Sequence, residues 1–249
     1  MMKRLLAALM FFTRLPLWRI CEVPAAYFKR VVPLWPLAGW LTGGIMAGVL
    51  WLAAQVFPLS VAWILAVISR LLLTGCLHED GLADFCDGCG GGTSRERVLS
   101  IMKDSHIGTY GVIGLVVYFL LLTQVSHLGL ETLLPIVVVA DAWSKACAAH
   151  IICFLPYCRK AEEAKIQTIY DRMTWAEWLL CIVSGLIPAL LLMPHTLLPA
   201  LMAPIAVCAL LMLLMKHRIG GYTGDCCGAT FLLAELSFYL VALAIIHNS

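Results

Sequence analysis

The chain is poor in charged residues. Asp, Glu, Lys and Arg make up 13% of its 249 residues, whereas a soluble globular protein carries about 25%. Hydrophobic residues make up 62%, and the mean hydropathy is +0.93. A charge deficit spread over the whole length indicates many membrane spans rather than one anchor. The small net charge of +2 also excludes a strong electrostatic field for nucleic acid.

Two further features are missing from the sequence. No small-residue cleavage site follows the short apolar run at 1–12, so this run predicts an interfacial helix rather than a signal peptide. The eleven cysteines form no disulfide pattern, because most lie in apolar runs where a thiol behaves as a small hydrophobe. The pairs Cys86–Cys89 and Cys226–Cys227 also do not fit the usual spacing of a structural zinc site.

Apolar stretches of spanning length are abundant. A helix needs about 20 residues to cross the bilayer, and such stretches occur at roughly 33–57, 59–77, 107–126, 132–155, 177–193, 197–215 and 227–246. We therefore predict an all-α fold. Residues 1–249 would form one polytopic transmembrane helical bundle of about seven spans plus the N-terminal interfacial helix.

Lysine and arginine are distributed unevenly between the connecting segments. The turns near Pro58, at 127–131 and at 194–196 contain neither residue. Apart from Arg70 and Lys145, all of them lie in the segments 1–32, 78–106, 156–176 and 216–226. The positive-inside rule therefore predicts that these four segments are cytoplasmic and that the C-terminus is outside. We expect the active site at 78–106, 156–176 and 216–226, where the chain is most polar.

The segment 77–92 holds the densest group of acidic residues. If it continues the span 59–77 as a helix, Asp80, Asp84 and Asp87 lie at i, i+4 and i+7 and share one stripe. Carboxylates stacked in this way repel one another unless protons or cations neutralise them. Hard oxygen ligands next to a phosphate suit Mg²⁺ or Mn²⁺. The stripe therefore predicts a metal site, and the simpler alternative is a solvated acidic loop.

Glycines follow the acidic stripe and recur before the last span. The run 88–94 predicts a turn whose backbone N–H groups hold phosphate oxygens, although a flexible loop explains it equally well. Ser94 is expected to cap a short helix that carries Arg95, an arginine able to pair with phosphate. The run 220–225 admits the same two interpretations, a phosphate or metal site or an ordinary turn.

Other polar residues stand at the edge of a span or inside one. Lys103, Asp104 and His106 place a cation, a carboxylate and a titratable base at one membrane edge. Asp141 and Lys145 lie i, i+4 within the stretch 132–155, where charges normally pair or line a cavity. Two interpretations stay open for this pair, an ion pair that stabilises the bundle and a part of the cavity wall.

Taken together, these motifs resemble the signature of the cobalamin synthase family, adenosylcobinamide-GDP ribazoletransferase. The matches stand in the family's order and cover nearly the whole chain. They are Phe12-Thr13-Arg14-Leu15-Pro16, His78-x-Asp80-Gly81-Leu82-Ala83-Asp84-x-x-Asp87-Gly88, Arg95-Glu96-Arg97, Ile101-Met102-Lys103-Asp104-Ser105-x-Ile107-Gly108-Thr109-x-Gly111 and Gly220-Gly221-x-Thr223-Gly224-Asp225-x-x-Gly228-Ala229. The loop 156–176 departs from the family's pattern, which weakens any substrate contact expected from it.

The resemblance implies the last nucleotide-loop assembly step of vitamin B12 synthesis. A membrane transferase would join α-ribazole, or its 5′-phosphate, to adenosylcobinamide-GDP, release GMP and form adenosylcobalamin or its 5′-phosphate. The family implies Mg²⁺ dependence and a place in the cell inner membrane. Its partners would be these small substrates and the lipid bilayer, without nucleic acid, and self-association stays open.

The resemblance also implies roles for individual residues. Metal binding is expected from Glu79, Asp80, Asp84, Asp87 and Asp225. The general base is expected among Asp87, Asp104 and His106. Substrate binding is expected from Arg14, Gly91, Gly92, Arg95, Lys103, Gly221 and Thr223.

Two other classes of membrane protein are alternatives. A metal-dependent phosphoalcohol transferase of CDP-alcohol type has an Asp-Gly followed shortly by Ala-Arg, and the segment 80–84 lacks that arginine. A non-enzymatic transporter would place ionisable groups near the membrane midplane. We expect only Asp141 and Lys145 to lie deep, which disfavours a transporter.

Overall fold

A computed structural model of the protein describes residues 1–159 and 170–249, and these residues are predominantly helical. One isolated β-bridge, between Tyr157 and Tyr222, is the only strand-like pairing within the described ranges. The α-helices are α1 (Met2–Phe12), α2 (Trp35–Ala54), α3 (Leu59–Thr74), α4 (Leu77–Gly91), α5 (Arg95–Ile101), α6 (Thr109–Thr123), α7 (Leu130–Ala149), α8 (Ile151–Phe154), α9 (Trp175–Leu192), α10 (Met202–Ile219) and α11 (Gly224–His247). The predicted all-α bundle is confirmed.

The described helices provide six to seven candidate membrane spans. Six helical segments are long and apolar enough by themselves: Val32–Ala54, Thr109–Leu128, Leu130–Phe154, Trp175–Leu192, His195–Ile219 and Gly224–His247. α3 and α4 pass the same test only as a pair. The number agrees with the prediction of about seven. The N-terminal helix α1 has 11 residues, too few to cross a bilayer.

The helix α7 forms the centre of the bundle. Of its most apolar window, 78% is buried, against 28% for the spans that contain α6, α9 and α10. α2 packs closely against α7 because two glycines face it. A Cβ on Gly39 would lie 2.7 Å from the Cα of Ala142, and one on Gly43 would lie 2.9 Å from the Cα of Val138. Small residues at a helix contact allow this close approach in membranes.

The helical conformation of the backbone is interrupted between α3 and α4. Gly75 (φ 65°) and Cys76 (φ 59°) are left-handed, and the two helices meet at 89°. The acidic segment is therefore helical, but its helix does not continue the span 59–77 in the same direction, because a left-handed glycine ends α3. The backbone N–H of Arg14 donates to Leu73 O at 2.7 Å, and the Arg14 guanidinium lies against Gly75. The bend directs α4 between α11 and α6, both of which contact it.

Candidate active site

Distant parts of the chain meet at one cavity, which is partly open to solvent. The end of α1 and the start of α2 contribute Phe11, Phe12 and Trp35. The first turn of α4 contributes Leu77, His78 and Asp80. The opposite wall consists of Tyr157, Arg159 and Tyr170 from the loop after α8, and of Asp225 and Phe231 on α11. With Lys145 on α7, the cavity thus joins residues from six sequence regions.

Two predicted site residues, Asp80 and Asp225, line this cavity. Gly81 allows the approach of their helices, because a Cβ there would lie 2.9 Å from the backbone O of Asp225. Arg159 Nη2 lies 3.4 Å from Asp225 Oδ2, and the two side chains are only 5% and 11% exposed. One end of the cavity therefore combines two carboxylates with a guanidinium group.

Thr223 holds the first turn of α11 beside Asp225. Its hydroxyl accepts the backbone N–H of Cys226 at 3.4 Å, which makes Thr223 the N-cap of α11. The same Oγ1 donates to Asp225 Oδ2 at 3.3 Å. Thr223 is fully buried. The structure therefore gives Thr223 a positioning role for Asp225, and direct substrate binding by Thr223 stays a prediction.

The carboxylates of the cavity fit a metal ion that arrives with its substrate. Within 1–159 and 170–249, no three His, Cys, Asp or Glu side chains form a ready metal site. Mg²⁺, however, is usually bound by one or two carboxylates plus substrate phosphates rather than by an all-protein cage. Asp80 and Asp225, which share one cavity, meet this smaller requirement. Asp84 is 9% exposed and does not line the cavity.

Asp87 points to a different part of the structure. Its carboxylate accepts the backbone N–H of Gly108 at 2.7 Å and that of Gly111 at 2.8 Å. These groups belong to the first turn of α6, where unpaired N–H groups and the helix dipole favour an anion. The three carboxylates of the stripe therefore do not share one environment: Asp80 lines the cavity, whereas Asp87 anchors the start of α6. Metal binding or base catalysis by Asp87 stays a prediction.

A group of buried polar side chains joins α3, α6 and α11. Arg70 Nη1 donates to both carboxylate oxygens of Glu235, at 2.5 and 2.6 Å, and Arg70 Nη2 donates to the Tyr118 hydroxyl at 3.1 Å. Glu79 belongs to this group rather than to the cavity lining: it is 5% exposed, and its charge acts on Arg70. The prediction that only Asp141 and Lys145 lie deep is therefore wrong.

Both interpretations of Asp141 and Lys145 apply together. The two side chains form an ion pair, and Thr42 Oγ1 donates to Asp141 Oδ2 at 2.7 Å. Lys145 Nζ also donates to Thr42 Oγ1 at 3.2 Å and lies 3.9 Å from the ring centre of Phe231. Lys145 at the same time lines the cavity. The pair thus stabilises the helix contact, and its lysine forms part of the cavity lining.

The first glycine run is a helix end rather than a loop. Gly88 to Gly91 form the last turn of α4, and the N–H of Gly92 donates to Gly88 O at 2.9 Å. A helix C-terminus presents carbonyl oxygens instead of free N–H groups. Arg218 Nη2 donates to Cys89 O at 2.6 Å and to Gly92 O at 2.7 Å. The interpretation of 88–92 as a glycine-rich turn is therefore wrong, and substrate binding by Gly91 and Gly92 stays a prediction.

Arg95 and Ser94 hold the next short helix in place. The Ser94 hydroxyl accepts the backbone N–H of Arg97 at 3.2 Å, so the predicted N-cap of α5 is confirmed. Arg95 Nε donates to the backbone O of Ile219 at 2.8 Å, at the C-terminus of α10. Arg95 is thus engaged with the protein backbone, and its contact with substrate phosphate stays a prediction.

Gly221 allows two loops to touch. The N–H of Tyr222 donates to Pro156 O at 2.9 Å, and the N–H of Cys158 donates to Tyr222 O at 2.9 Å. A Cβ on Gly221 would lie 2.1 Å from Pro156 O. The absence of a side chain at 221 is therefore a packing requirement of the cavity wall, a different role from the substrate contact predicted for it.

Gly221→Ala is expected to lower the thermal stability of the protein by several degrees, because the new methyl group must push the backbone of Pro156 away. The measurement is thermal unfolding in detergent. Gly44→Ala is the matched control, since a Cβ on Gly44 meets no atom within 4 Å. Equal stability of the two variants would contradict this role of Gly221.

Four other predicted residues lie outside the cavity lining. Arg14 covers the bend at Gly75. Asp104 Oδ1 lies 2.7 Å from His106 Nδ1, and this hydrogen bond lowers the pKa of the Asp104 carboxyl group. The side chains of His106 and Asp104 are 90% and 57% exposed, and Lys103 is exposed as well. Their predicted roles would require these residues to reach a substrate that extends beyond the cavity.

Sequence reasoning missed several residues of the cavity. Trp35, His78, Arg159 and Phe231 all line it, and none was predicted as a site residue. His78 stands inside the family-like motif, which was the one available signal for it. The predicted active-site segment 156–176 includes Arg159, but its residues 160–169 lie outside the described residues.

Comparison with known proteins identifies the family. The profile of the family described as cobalamin-5-phosphate synthase matches residues 4–243. An adenosylcobinamide-GDP ribazoletransferase of Leptothrix cholodnii is 40% identical over 251 residues, covering 95% of this chain and 93% of the relative. Relatives with the same name in Shewanella amazonensis and Vibrio cholerae are 39% and 34% identical, each over 98% of this chain and over 96% and 94% of their own lengths.

No solved structure matches the chain, so the family is established from sequence. The match from residue 4 to residue 243 spans all the helices that form the cavity. The predicted resemblance is thereby confirmed, and the chain belongs to the cobalamin-5-phosphate synthase family.

Proposed function

We propose that this chain joins α-ribazole, or its 5′-phosphate, to adenosylcobinamide-GDP with release of GMP, and that Mg²⁺ assists the reaction in the cavity. Family membership and the shared name of the relatives support the ribazoletransferase role in cobalamin synthesis. The observation that carries the location of the chemistry is the meeting of Asp80, Asp225 and Arg159 in one cavity. This donor set suits a diphosphate together with a divalent cation.

The reaction exchanges one phosphorus–oxygen bond for another. A ribose hydroxyl of α-ribazole attacks the phosphorus attached to cobinamide, and GMP leaves with the electrons of the broken bond. When α-ribazole 5′-phosphate is the substrate, its phosphate is retained in the product, so the attacking hydroxyl is a different one from the 5′ group. Mg²⁺ held by Asp80 and Asp225 would neutralise charge on the diphosphate.

The residues of the chain supply orientation and proton transfer. Arg159 would bind the diphosphate with its planar guanidinium group. The two substrates then react as neighbours in one cavity, which lowers the entropic cost of their encounter. The proton of the attacking hydroxyl needs an acceptor within reach, and Asp80 and Asp225 line the cavity. Asp104 and His106, predicted as bases, do not.

The active site would face the cytoplasm. The four segments rich in Lys and Arg, 1–32, 78–106, 156–176 and 216–226, support this orientation through the positive-inside rule. The same rule supports a C-terminus on the outer side. In bacteria such as those of its relatives, this orientation corresponds to a multi-pass protein of the cell inner membrane.

An assay in membranes tests the proposal and its metal requirement. Membranes that contain the protein, supplied with adenosylcobinamide-GDP and α-ribazole, are expected to form adenosylcobalamin and GMP. A chelator is expected to stop the reaction and added Mg²⁺ to restore it, because the diphosphate charge needs a counter-ion. Full activity in the chelator would refute the metal role. Turnover of a CDP-linked alcohol in place of the GDP-linked substrate would favour the CDP-alcohol alternative.

A further inference from the structure

We propose that the aromatic end of the cavity binds the benzimidazole base of α-ribazole, and that Trp35 and His78 provide the polar groups that recognise it. This inference rests on the proposed function and deepens it, because it assigns one substrate to one end of the cavity. The other end, with Asp80, Asp225 and Arg159, is then left for the diphosphate of the second substrate.

One wall of the cavity is a continuous cluster of aromatic rings. The ring centre of Trp35 lies 5.5 Å from that of Phe12 and 5.7 Å from that of Tyr170. Phe11 joins the same cluster, 6.0 Å from Tyr170. These contacts are edge-to-face, and all four residues line the cavity. Such a surface suits a flat aromatic ligand, since stacking on aromatic side chains accepts any planar base.

His78 lies between two rings of the cavity wall. It is parallel to Phe12, with an angle of 15° and 5.5 Å between ring centres, and it lies 4.6 Å from the ring centre of Phe231. His78 is only 3% exposed. Neither of its ring nitrogens has a hydrogen-bond partner within the described part of the chain. A buried imidazole without partners is costly, and a bound ligand that completes its hydrogen bonds would remove that cost.

Trp35 likewise has a buried polar atom without a hydrogen-bond partner. It is 4% exposed, and its indole Nε1 has no partner in the ranges that the structure describes. An indole N–H is a donor only, so it requires an acceptor. Trp35 and His78 line one cavity, so a single ligand can serve both. Two buried and unpaired side chains thus point to a ligand that supplies at least one hydrogen-bond acceptor.

The hydrogen-bonding groups of benzimidazole and guanine indicate which of these two bases fits the aromatic end. Benzimidazole is flat and mostly apolar, and its one unsubstituted ring nitrogen accepts a hydrogen bond from either Trp35 or His78, while a hydroxyl of the attached ribose can pair with the other. Guanine carries several donors and acceptors along its edge, which would need more polar partners than this end offers. The third polar side chain nearby, Lys145, already contacts Asp141, Thr42 and the Phe231 ring. The aromatic end therefore matches the benzimidazole base better than guanine.

Steady-state kinetics with both substrates tests this assignment. Trp35→Leu is expected to raise the KM for α-ribazole about tenfold, because it removes a stacking surface and a donor. The KM for adenosylcobinamide-GDP is expected to stay unchanged. Trp35→Phe keeps the ring without the N–H and should fall between wild type and Trp35→Leu. Trp51→Leu is the matched control, since Trp51 is on the same helix but is 52% exposed away from the cavity.

His78→Phe provides a second variant, because it keeps the stack between Phe12 and Phe231 and removes both nitrogens. It is expected to raise the KM for α-ribazole in the same way. Isothermal titration of α-ribazole, and separately of GMP, into purified wild type and variants measures binding without turnover. We expect weaker α-ribazole binding by each cavity variant that folds, and unchanged GMP binding.

The outcomes separate this inference from the proposed function. An increase in the KM for adenosylcobinamide-GDP instead of α-ribazole would assign guanine to the aromatic end and overturn the inference, while the proposed function would stand. Unchanged KM values in Trp35→Phe and His78→Phe would also overturn it. A wild type that binds no α-ribazole in titration overturns the inference directly, whereas a wild type that binds it without turnover contradicts the proposed function alone.

Discussion

Asp80→Asn is expected to lower the rate of GMP release by at least about a hundredfold, while membrane insertion and thermal stability stay close to those of the wild type. An amide cannot supply the negative charge that holds a divalent cation against a diphosphate. Asp80 is exposed to the cavity, so the isosteric change disturbs little packing. The measurement is the initial rate of GMP release by purified protein over a range of Mg²⁺ concentrations.

The control for this experiment is Glu96→Gln. Glu96 lies on α5 with 79% of its side chain exposed, and its replacement removes one negative charge outside the cavity. It is expected to leave the rate and the Mg²⁺ dependence unchanged. Near-normal turnover by Asp80→Asn at low Mg²⁺ would exclude Asp80 as a metal ligand. A similar loss in Glu96→Gln would mean that net charge, rather than a metal site, controls the rate.

Arg70→Met is expected to lower the free energy of unfolding by about 3–5 kcal/mol. The side chains of Arg70 and Glu235 are 1% and 0% exposed, so removal of the cation leaves a buried carboxylate without its counter-charge. The Tyr118 hydroxyl loses its donor at the same time. The measurement is thermal or denaturant unfolding of the purified protein in detergent, in which the loss of helical structure is monitored.

A double replacement distinguishes loss of pairing from loss of packing. Arg70→Met combined with Glu235→Leu removes both charges and is expected to be more stable than Arg70→Met alone, because no unpaired charge remains buried. Arg30→Met breaks an exposed pair, in which Arg30 and Asp171 are 49% and 54% exposed, and should cost less than about 1 kcal/mol. Purely additive effects of the two buried changes would contradict the pairing argument.

Local patterns were the most successful part of the sequence prediction. The apolar stretches predicted the spanning helices, because a bilayer requires a minimum length of apolar helix whatever its neighbours are. Ser94 was predicted as an N-cap from its position before a polar helix, and the cap is present. The i, i+4 spacing of Asp141 and Lys145 made an ion pair one of two interpretations, and the pair is present. Each of these features depends on a few neighbouring residues.

Predictions that depended on which neighbour a side chain faces in the folded protein were less successful. The stripe of Asp80, Asp84 and Asp87 assumed one common environment along the helix. α4 instead lies between two neighbours, so Asp80 faces the cavity and Asp87 binds the start of α6. The glycines of 88–92 were interpreted as a loop, whereas helix formation continues through Gly91. Neighbouring helices, which the spacing of the residues does not describe, decided both cases.

The sequence by itself determined that this chain is a membrane-embedded helical bundle, because the length and apolarity of its stretches leave few other folds, and its ordered motifs determined the family. Only the tertiary structure decided which polar and aromatic residues meet. The bend at Gly75 and the close contact of Gly81 with α11 bring Asp80 to Asp225, and helix packing brings Phe12, Trp35, His78 and Phe231 together from four separate helices. Such contacts depend on how helices pack against one another, and packing is a property of the whole folded chain rather than of any local segment.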